Sequence, residues 1–537
     1  MNQMSNEVTL DADTIEKSLI SKEEGNFIAK HYTSKLFLWM FIWFLIILNF
    51  IWVIDPYGVS PFQINLPDIN TYKPKRLDID RLIKPYEVWR YQPKTIFIGT
   101  SRIHESIDPS VFDNTQFAPA YNAAIPASTL AQNLDNIEQF LKLDHHIKHI
   151  FAELYLYNFT GQTQESTQKT WRQFFKDIIP LQISNDAFLA AVQTIIANKN
   201  SGPIPAHIAK QGHWVPSSDF NPGTTFTESL YIQTVLGWDR AAKLSLLQSA
   251  FESLGRIVTL ARSHGVELHL LITPNYPWED YRLISLGYWP LVEEWMRKMA
   301  AYENVVSFSQ YNAFLEEAPS LNPQMKWWND PTHFSLGMGR AMMQAFIGHQ
   351  EQGTPTNLMR PLNPSTVDGL IAERHADALR WAAAHPDFVA DFEEAKTFSD
   401  PIKGTLDWEE KILVVDGHKH PIVLGMGKGV GDVTYLDDQG SSFFASGWAV
   451  DEIEKRRVRN LIATIGSSVV ARGFVTVDRE EGLKYGNNAK RSGFAMSIPL
   501  VNRKDSEPIR IFALMKDGRA VQLASQIKQI EGVKTLI

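Results

Sequence analysis

The chain contains no cysteine in 537 residues. That absence excludes disulfide bridges, thiol nucleophiles and cysteine-ligated metal together. It suits a reducing compartment and an envelope protein that avoids oxidative pairing equally well. A basic excess is also missing: 52 Lys and Arg stand against 60 Asp and Glu, for a net charge of −8. Without a positive field to gather phosphates, nucleic acid is not an expected partner. No soluble-cofactor motif is present, so no cofactor is expected. The histidines at 145, 146 and 149 include an i, i+4 pair, yet read as a polar helix-to-strand corner, and no metal is expected either.

What is present is ample apolar material, 44% of the residues. At this length it exceeds one core and implies two or three domains. One run stands out. Leu36–Ile54 is nineteen residues whose only strongly polar member is Asn49, long enough to cross a bilayer core of about 30 Å. A polar segment of 35 residues precedes it, unlike the short charged start of a cleaved signal peptide. Lys30 and Lys35 lie just before the run, and the first basic residue after it is Lys73. The positive-inside bias therefore predicts a single-pass anchor with the amino terminus in the cytoplasm and the bulk in the periplasm of a bacterial inner membrane.

Beyond the anchor the chain divides by pattern. Residues 1–35 read as a loosely ordered tail and 55–89 as a Pro-rich spacer opened by Asp55-Pro-Tyr-Gly58. Residues 90–352 alternate buried strands and amphipathic helices. Lys94–Ile98, Tyr121–Ile125, His149–Tyr155, Val266–Thr273 and Asn304–Phe308 are the expected strands, and Leu130–Leu143, Ala241–His264, Trp289–Ala301 and Leu336–Gln350 the helices. This succession implies a parallel sheet with flanking helices. Residues 160 to about 226 read as an insertion over the active face. Residues 353–407 form a linker with a helical piece from Val367. From 408 to 537 short alternating runs punctuated by Gly and Asp/Asn turns predict an all-β sandwich.

One stretch is built to present a nucleophile. The apolar Thr95–Ile98 run ends at Gly99, whose freedom permits a tight turn, and Thr100-Ser101 then falls at the carboxyl end of the strand, where open α/β sheets place their chemistry. A serine hydroxyl needs a base within reach. Asp330-Pro-Thr-His333 supplies one, with the carboxylate set to fix the imidazole tautomer. Arg102 is a candidate contact for an anionic or acyl group, and equally a candidate partner for an acidic side chain. Asn275 and Tyr276, opening at another strand end, and Trp328 of the Trp327-Trp328 pair are candidate substrate contacts.

The order Gly99-Thr-Ser101 early and Asp330-x-x-His333 late, on α/β sequence, resembles the SGNH (GDSL-like) hydrolase superfamily over roughly residues 90 to 350. Thr100 stands where that family has an aspartate. With Arg102 following and an anchor ahead, the arrangement looks most like the membrane-anchored branch acting in O-acetylation of surface polysaccharides. The resemblance implies a three-layer fold and an acyl-serine mechanism. Ser101 would attack an ester carbonyl, His333 take its proton, and the Ser101 amide and Asn122, with Asn158, hold the oxyanion. Glu153 competes with Asn158 as the third polar group of the site.

It further implies an acyl, most plausibly acetyl, transferase or esterase working on an envelope polysaccharide. A polytopic acyltransferase or a polysaccharide synthase is the implied membrane partner. The C-terminal region resembles β-sandwich modules of surface-glycan enzymes and implies carbohydrate binding. The alternative is a non-catalytic protein that binds polysaccharide for assembly or export.

Overall fold

The computed structural model describes most of residues 12–525. The longer stretches outside the described residues are 1–11, 161–175, 230–243, 319–324, 397–401, 424–430, 478–483, 500–506 and 526–537, with shorter gaps between them. Helix α1, Ala12–Ile54, runs unbroken for 43 residues. The expected anchor is its second half, and Lys30–Ile54 is long and apolar enough to span a membrane. The polar segment ahead of it is helix from residue 12 onward and not loose coil. No proline interrupts 12–54, so nothing stops the ladder of backbone bonds from continuing.

The segment expected as a spacer is folded into the domain that follows. Helix α2, Asp80–Tyr91, packs against the sheet. Arg76 pairs with Glu87 at 2.6 Å with both side chains buried. The Lys84 ammonium, fully buried, donates to the carbonyls of Asn122 and Gly212 at 2.6 and 2.7 Å. Burial pushes its pKa down to about 8, against the opposing pull of Asp80.

Strand β1, Thr95–Ile98, leads into the short helix α3, Ser101–Ser106. Then come β2, Ala120–Asn122, α4, Leu130–Leu143, and β3, His149–Leu154. The stretch expected as an insertion holds helices α5, Pro180–Ile183, and α6, Asn185–Lys199, and a two-stranded ribbon of β4, His207–Ile208, with β5, Trp214–Val215. Helix α7, Gln248–Ser263, leads to β6, Glu267–Ile272. Helices α8, Pro277–Ser285, and α9, Trp289–Met299, lead to β7, Val305–Ser307. Helix α10, Leu336–Phe346, the two-residue strand β8, Arg360–Pro361, and helix α11, Val367–Ala384, complete the region.

The sheet order is β2-β1-β3-β6-β7-β8. Its first five strands are parallel and β8 runs antiparallel to β7. Both faces are apolar, as a parallel sheet requires. Ile96, Ile98, Ile150 and Leu270 face one core cluster, and Phe97, Phe151 and Leu271 the other. The chain passes from β1 to β2 on one side and to β3 on the other, a reversal that opens a crevice beyond the strand ends.

The C-terminal region is all-β, as expected. Its described strands form a closed barrel, from Gly404–Asp407 to Ala520–Gln522, and a six-stranded sheet built around Ser442–Asp451. Closure is the difference from two open sheets. Gly404 and Gly431 are why strands approach so closely: a Cβ at either would lie 2.1 or 2.4 Å from a facing carbonyl oxygen.

The long pairing that locks α8 to α11 is ionic. Arg374 holds Asp280 with two bonds, 2.5 and 2.7 Å, and both side chains are 2% exposed. Removing one partner strands the other charge in an apolar layer. Asp280→Ala, which strands the guanidinium, and Arg374→Met, which strands the carboxylate, are each expected to lower unfolding stability by about 3–5 kcal/mol, measured by urea denaturation.

Candidate active site

Gly99 ends β1 because nothing larger fits. A Cβ there would lie 2.6 Å from Ile103 and 2.8 Å from Glu153. The turn it permits makes Thr100 the cap of α3, with its hydroxyl accepting from the Arg102 amide at 3.3 Å. Ser101 follows as the first helical residue. Its hydroxyl lies 2.8 Å from Nε2 of His333. On the other side of the ring, Nδ1 of His333 lies 2.7 Å from Oδ2 of Asp330. The remaining oxygen, Oδ1, accepts from the amides of Thr332 and His333 at 2.7 and 2.8 Å. The Asp-x-x-His spacing thus folds back on itself, and residues 232 apart in sequence meet.

The electrostatics order the chain of hydrogen bonds. Burial works to lower the His333 pKa, but the hydrogen bond and charge of Asp330, with help from Glu105, outweigh it and hold the ring above its ordinary 6.5. Burial raises the Asp330 carboxyl, and the bonds and charge of His333 more than offset this, leaving it below its ordinary value. Glu105, one helical turn beyond Ser101, is raised chiefly by burial. An Asp-bound imidazole whose far nitrogen faces a hydroxyl is equipped to take that hydroxyl's proton.

Arg102 is spent on the frame of the site. It is 1% exposed, and its five N–H groups meet five acceptors. Nε donates to Glu153 at 3.1 Å. One terminal nitrogen donates to Asn275 Oδ1 at 3.0 Å and to the Thr332 carbonyl at 2.9 Å. The other donates to Thr273 Oγ1 at 3.1 Å and to the Pro274 carbonyl. Its plane lies 4.2 Å from the centre of the Tyr155 ring. Glu153 is equally occupied, accepting also from Thr273 Oγ1 and from both the amide and hydroxyl of Thr100. Glu153 thus holds the frame of the site.

Several other expected contacts are likewise structural. Asn122 spends its amide on the carbonyls of Ile103 and Ile107, both at 2.8 Å, which secures the end of α3 and leaves no hydrogen for an oxyanion. Asn275 is the acceptor for Arg102. Tyr276 is fully buried, donates to the Glu317 carbonyl at 3.1 Å and packs edge-on against Trp328 and Trp381. Trp328 is also fully buried, with its indole N–H on the Phe314 carbonyl at 3.1 Å. Each lies behind the site because apolar aromatic area is worth more inside than at a wet wall.

Asn158 does reach the site. It lies in the one-turn helix Leu156–Phe159 that follows β3. Its buried Nδ2 has no protein partner. With Ser101 it lines a pocket of about 450 Å³ whose wall includes Tyr155, Tyr157, Thr129 and Ser249. Sequence reasoning missed the two tyrosines. Tyr157 hydrogen-bonds Glu279 and Arg282, and burial lifts the Glu279 carboxyl to about 8. The alternation Tyr155-Leu-Tyr157 just past a strand end was the available signal.

Among the described residues, those that could gather round a cation are His149, Glu267 and His269, with ligand atoms within 4.8 Å of one another. They lie at the amino-terminal ends of β3 and β6, whereas Ser101 follows the carboxyl end of β1. His145 lies outside the described residues. No protein-family model and no curated protein matches this chain. A solved chain from Streptococcus pneumonia, provisionally assigned as a platelet activating factor, covers 51% of this chain and 92% of its own at 12% identity. Its TM-score is 0.26, too low for any argument to rest on it.

Two outcomes follow from these contacts. In an NMR titration of the His333 ring, the midpoint is expected above pH 6.5, and Asp330→Asn should move it down, since burial then acts with less opposition. The folded-state pKa is the raised one, so this contact stabilises fully below pH 6.5 and loses its contribution as pH climbs through the folded value. Arg102→Met, which leaves the Glu153 carboxylate buried without its cation, should cost about 3–5 kcal/mol in denaturant unfolding.

Proposed function

We propose that this chain is a membrane-anchored enzyme of SGNH type that moves an acyl group, acetyl by preference, on an envelope polysaccharide through an acyl-serine. The observation that carries the reading is the line of contacts Ser101–His333–Asp330, 2.8 and 2.7 Å, opening on a pocket. A serine so placed, with an oriented imidazole behind it, is arranged for nucleophilic attack on an ester.

In the first step Ser101 Oγ attacks the ester carbonyl while His333 Nε2 takes its proton. Asp330 keeps the ring in the tautomer that can accept it and stabilises the imidazolium that forms. The oxyanion is held by Asn158 Nδ2 and the Ser101 amide, beside the pocket that Tyr155 helps to line. His333 then returns the proton to the departing alkoxide, and the C–O bond of the ester breaks to leave acyl-Ser101. A sugar hydroxyl or water, deprotonated by the same ring, attacks the acyl carbon; the bond to Ser101 Oγ breaks, and His333 returns the proton to that oxygen. Hydroxyls of Thr129, Ser249 and Ser253 around the pocket suit a polyhydroxylated acceptor. Transfer to sugar is favoured by the resemblance to the O-acetylation branch, with a polytopic partner supplying the acyl donor across the membrane and the bulk of the chain in the periplasm.

The test is intact-mass detection of an acetyl adduct, with turnover of a chromogenic acetyl ester, on the full-length protein in detergent. Ser101→Ala is expected to abolish the adduct and lower turnover by at least about 10³-fold. Asn158→Ala should lower turnover by about 10²–10³-fold, the usual loss for one oxyanion donor. If wild type forms no adduct and shows no turnover with ester and oligosaccharide acceptor together, the polysaccharide-binding reading replaces this one.

A further inference from the structure

Helix α6 is built inside out. The side chains it buries are small ones, Ala187, Ala190, Ala191 and Thr194. Phe188, Leu189 and Ile196 instead stand 38%, 57% and 62% exposed. A surface helix in water turns its large apolar residues inward. From Ala187 to Asn198 this helix carries no charge, and Asp186 and Lys199 close its ends. Ile179 just before α5 and Ile183 at its end are about half exposed, as is Phe62. Contiguous apolar area of this kind marks an interaction surface.

Its position says which. The Phe188 ring lies 5.5 Å from that of Phe50, and the Phe62 ring 5.7 Å from that of Trp52, both in the last turns of α1. The exposed apolar surface of α1 therefore continues directly onto α6. The junction is fixed. Asn70 Nδ2 donates to the Val53 carbonyl at 2.9 Å, and Lys73 Nζ to the carbonyls of Ile54 and Asp55 at 3.3 and 2.5 Å. Asn198 at the other end of α6 exchanges two bonds with the Tyr72 backbone, 2.9 and 2.7 Å.

We propose that α6, with Ile179, Ile183 and Phe62, lies in the lipid interface beside α1, so that the α/β domain rests directly on the bilayer. The twelve charge-free residues of α6 extend about 18 Å, too short to cross a core of about 30 Å but suited to lying in its surface. The polar face an interfacial helix normally presents to water is here replaced by the domain, which covers the small-residue side. The inference rests on the anchored reading of α1 and not on the chemistry proposed for Ser101.

Because the chain has no native cysteine, single cysteines carrying an environment-sensitive fluorophore can be introduced at Leu189 and Ile196 of the full-length protein in phosphatidylcholine–phosphatidylglycerol nanodiscs. Leu45 in α1 and the exposed Glu252 serve as lipid and water references. The expected result is loss of fluorescence at 189 and 196 with lipids spin-labelled near the headgroup, at a depth of about 5–10 Å, and protection from aqueous iodide. The reference at 45 should respond to deeply labelled lipids, and that at 252 only to iodide. Iodide quenching at 189 and 196 with lipid quenching at 45 overturns the proposal and leaves the face to a protein partner. Iodide quenching at 45 removes the anchor and the proposal together. Neither result touches the acyl-serine test.

Discussion

The buried Arg102–Glu153 pair is the contact on which the site depends. Between them these two side chains tie the turn after β1, the end of β3, the Thr273-Pro-Asn275 turn after β6 and, through the Thr332 carbonyl, the loop that carries His333. Four separate segments are thus referenced to one planar group. A buried ion pair adds little net stability against a well-packed apolar substitute, yet removing one member is costly. What it supplies here is geometry: a fork with five donors in fixed directions admits few arrangements of its acceptors.

That rigidity matters because the Ser101–His333 contact joins residues held by different elements. Ser101 is placed by the Gly99 turn and the Thr100 cap, whereas His333 is placed by the Asp330 turn ahead of α10. A shift of either by an ångström would open the hydrogen bond. Arg102, adjacent to the serine and bonded to the residue before the histidine, couples the two placements. Asn122, on the strand that flanks β1 opposite Glu153, secures the far end of α3, so the serine helix is fixed at both ends despite having six residues.

The same economy appears where the chain leaves α1. Asp55, Ser60 and Asn70 are buried, and Lys73 and Arg76 reach back to the helix end and to Glu87. A tether would allow the head to rotate freely. This junction instead fixes the orientation of the α/β domain to α1, and with it the direction in which the Ser101 pocket opens.

The sequence alone determined the elements whose signals are local. An apolar run of bilayer length and β-branched strands at parallel-sheet spacing were legible, and Leu130–Leu143 with its helical apolar period was legible to the residue, whereas the helix expected from Ala241 begins at Gln248. The Ser101, Asp330 and His333 constellation was legible because chemistry restricts which residue types can serve as nucleophile, base and orienting acid. Burial was not legible. Arg102, Asn275, Tyr276 and Trp328 were candidates for facing substrate, and all are spent on protein neighbours, because whether a polar or aromatic side chain is so spent depends on segments far away in sequence. The closure of the C-terminal barrel, the helical continuation of α1 before residue 30 and the outward turn of the large residues on α6 were decided the same way. Strand alternation gives which residues share a face; which face finds a partner is fixed only when distant segments compete to cover it.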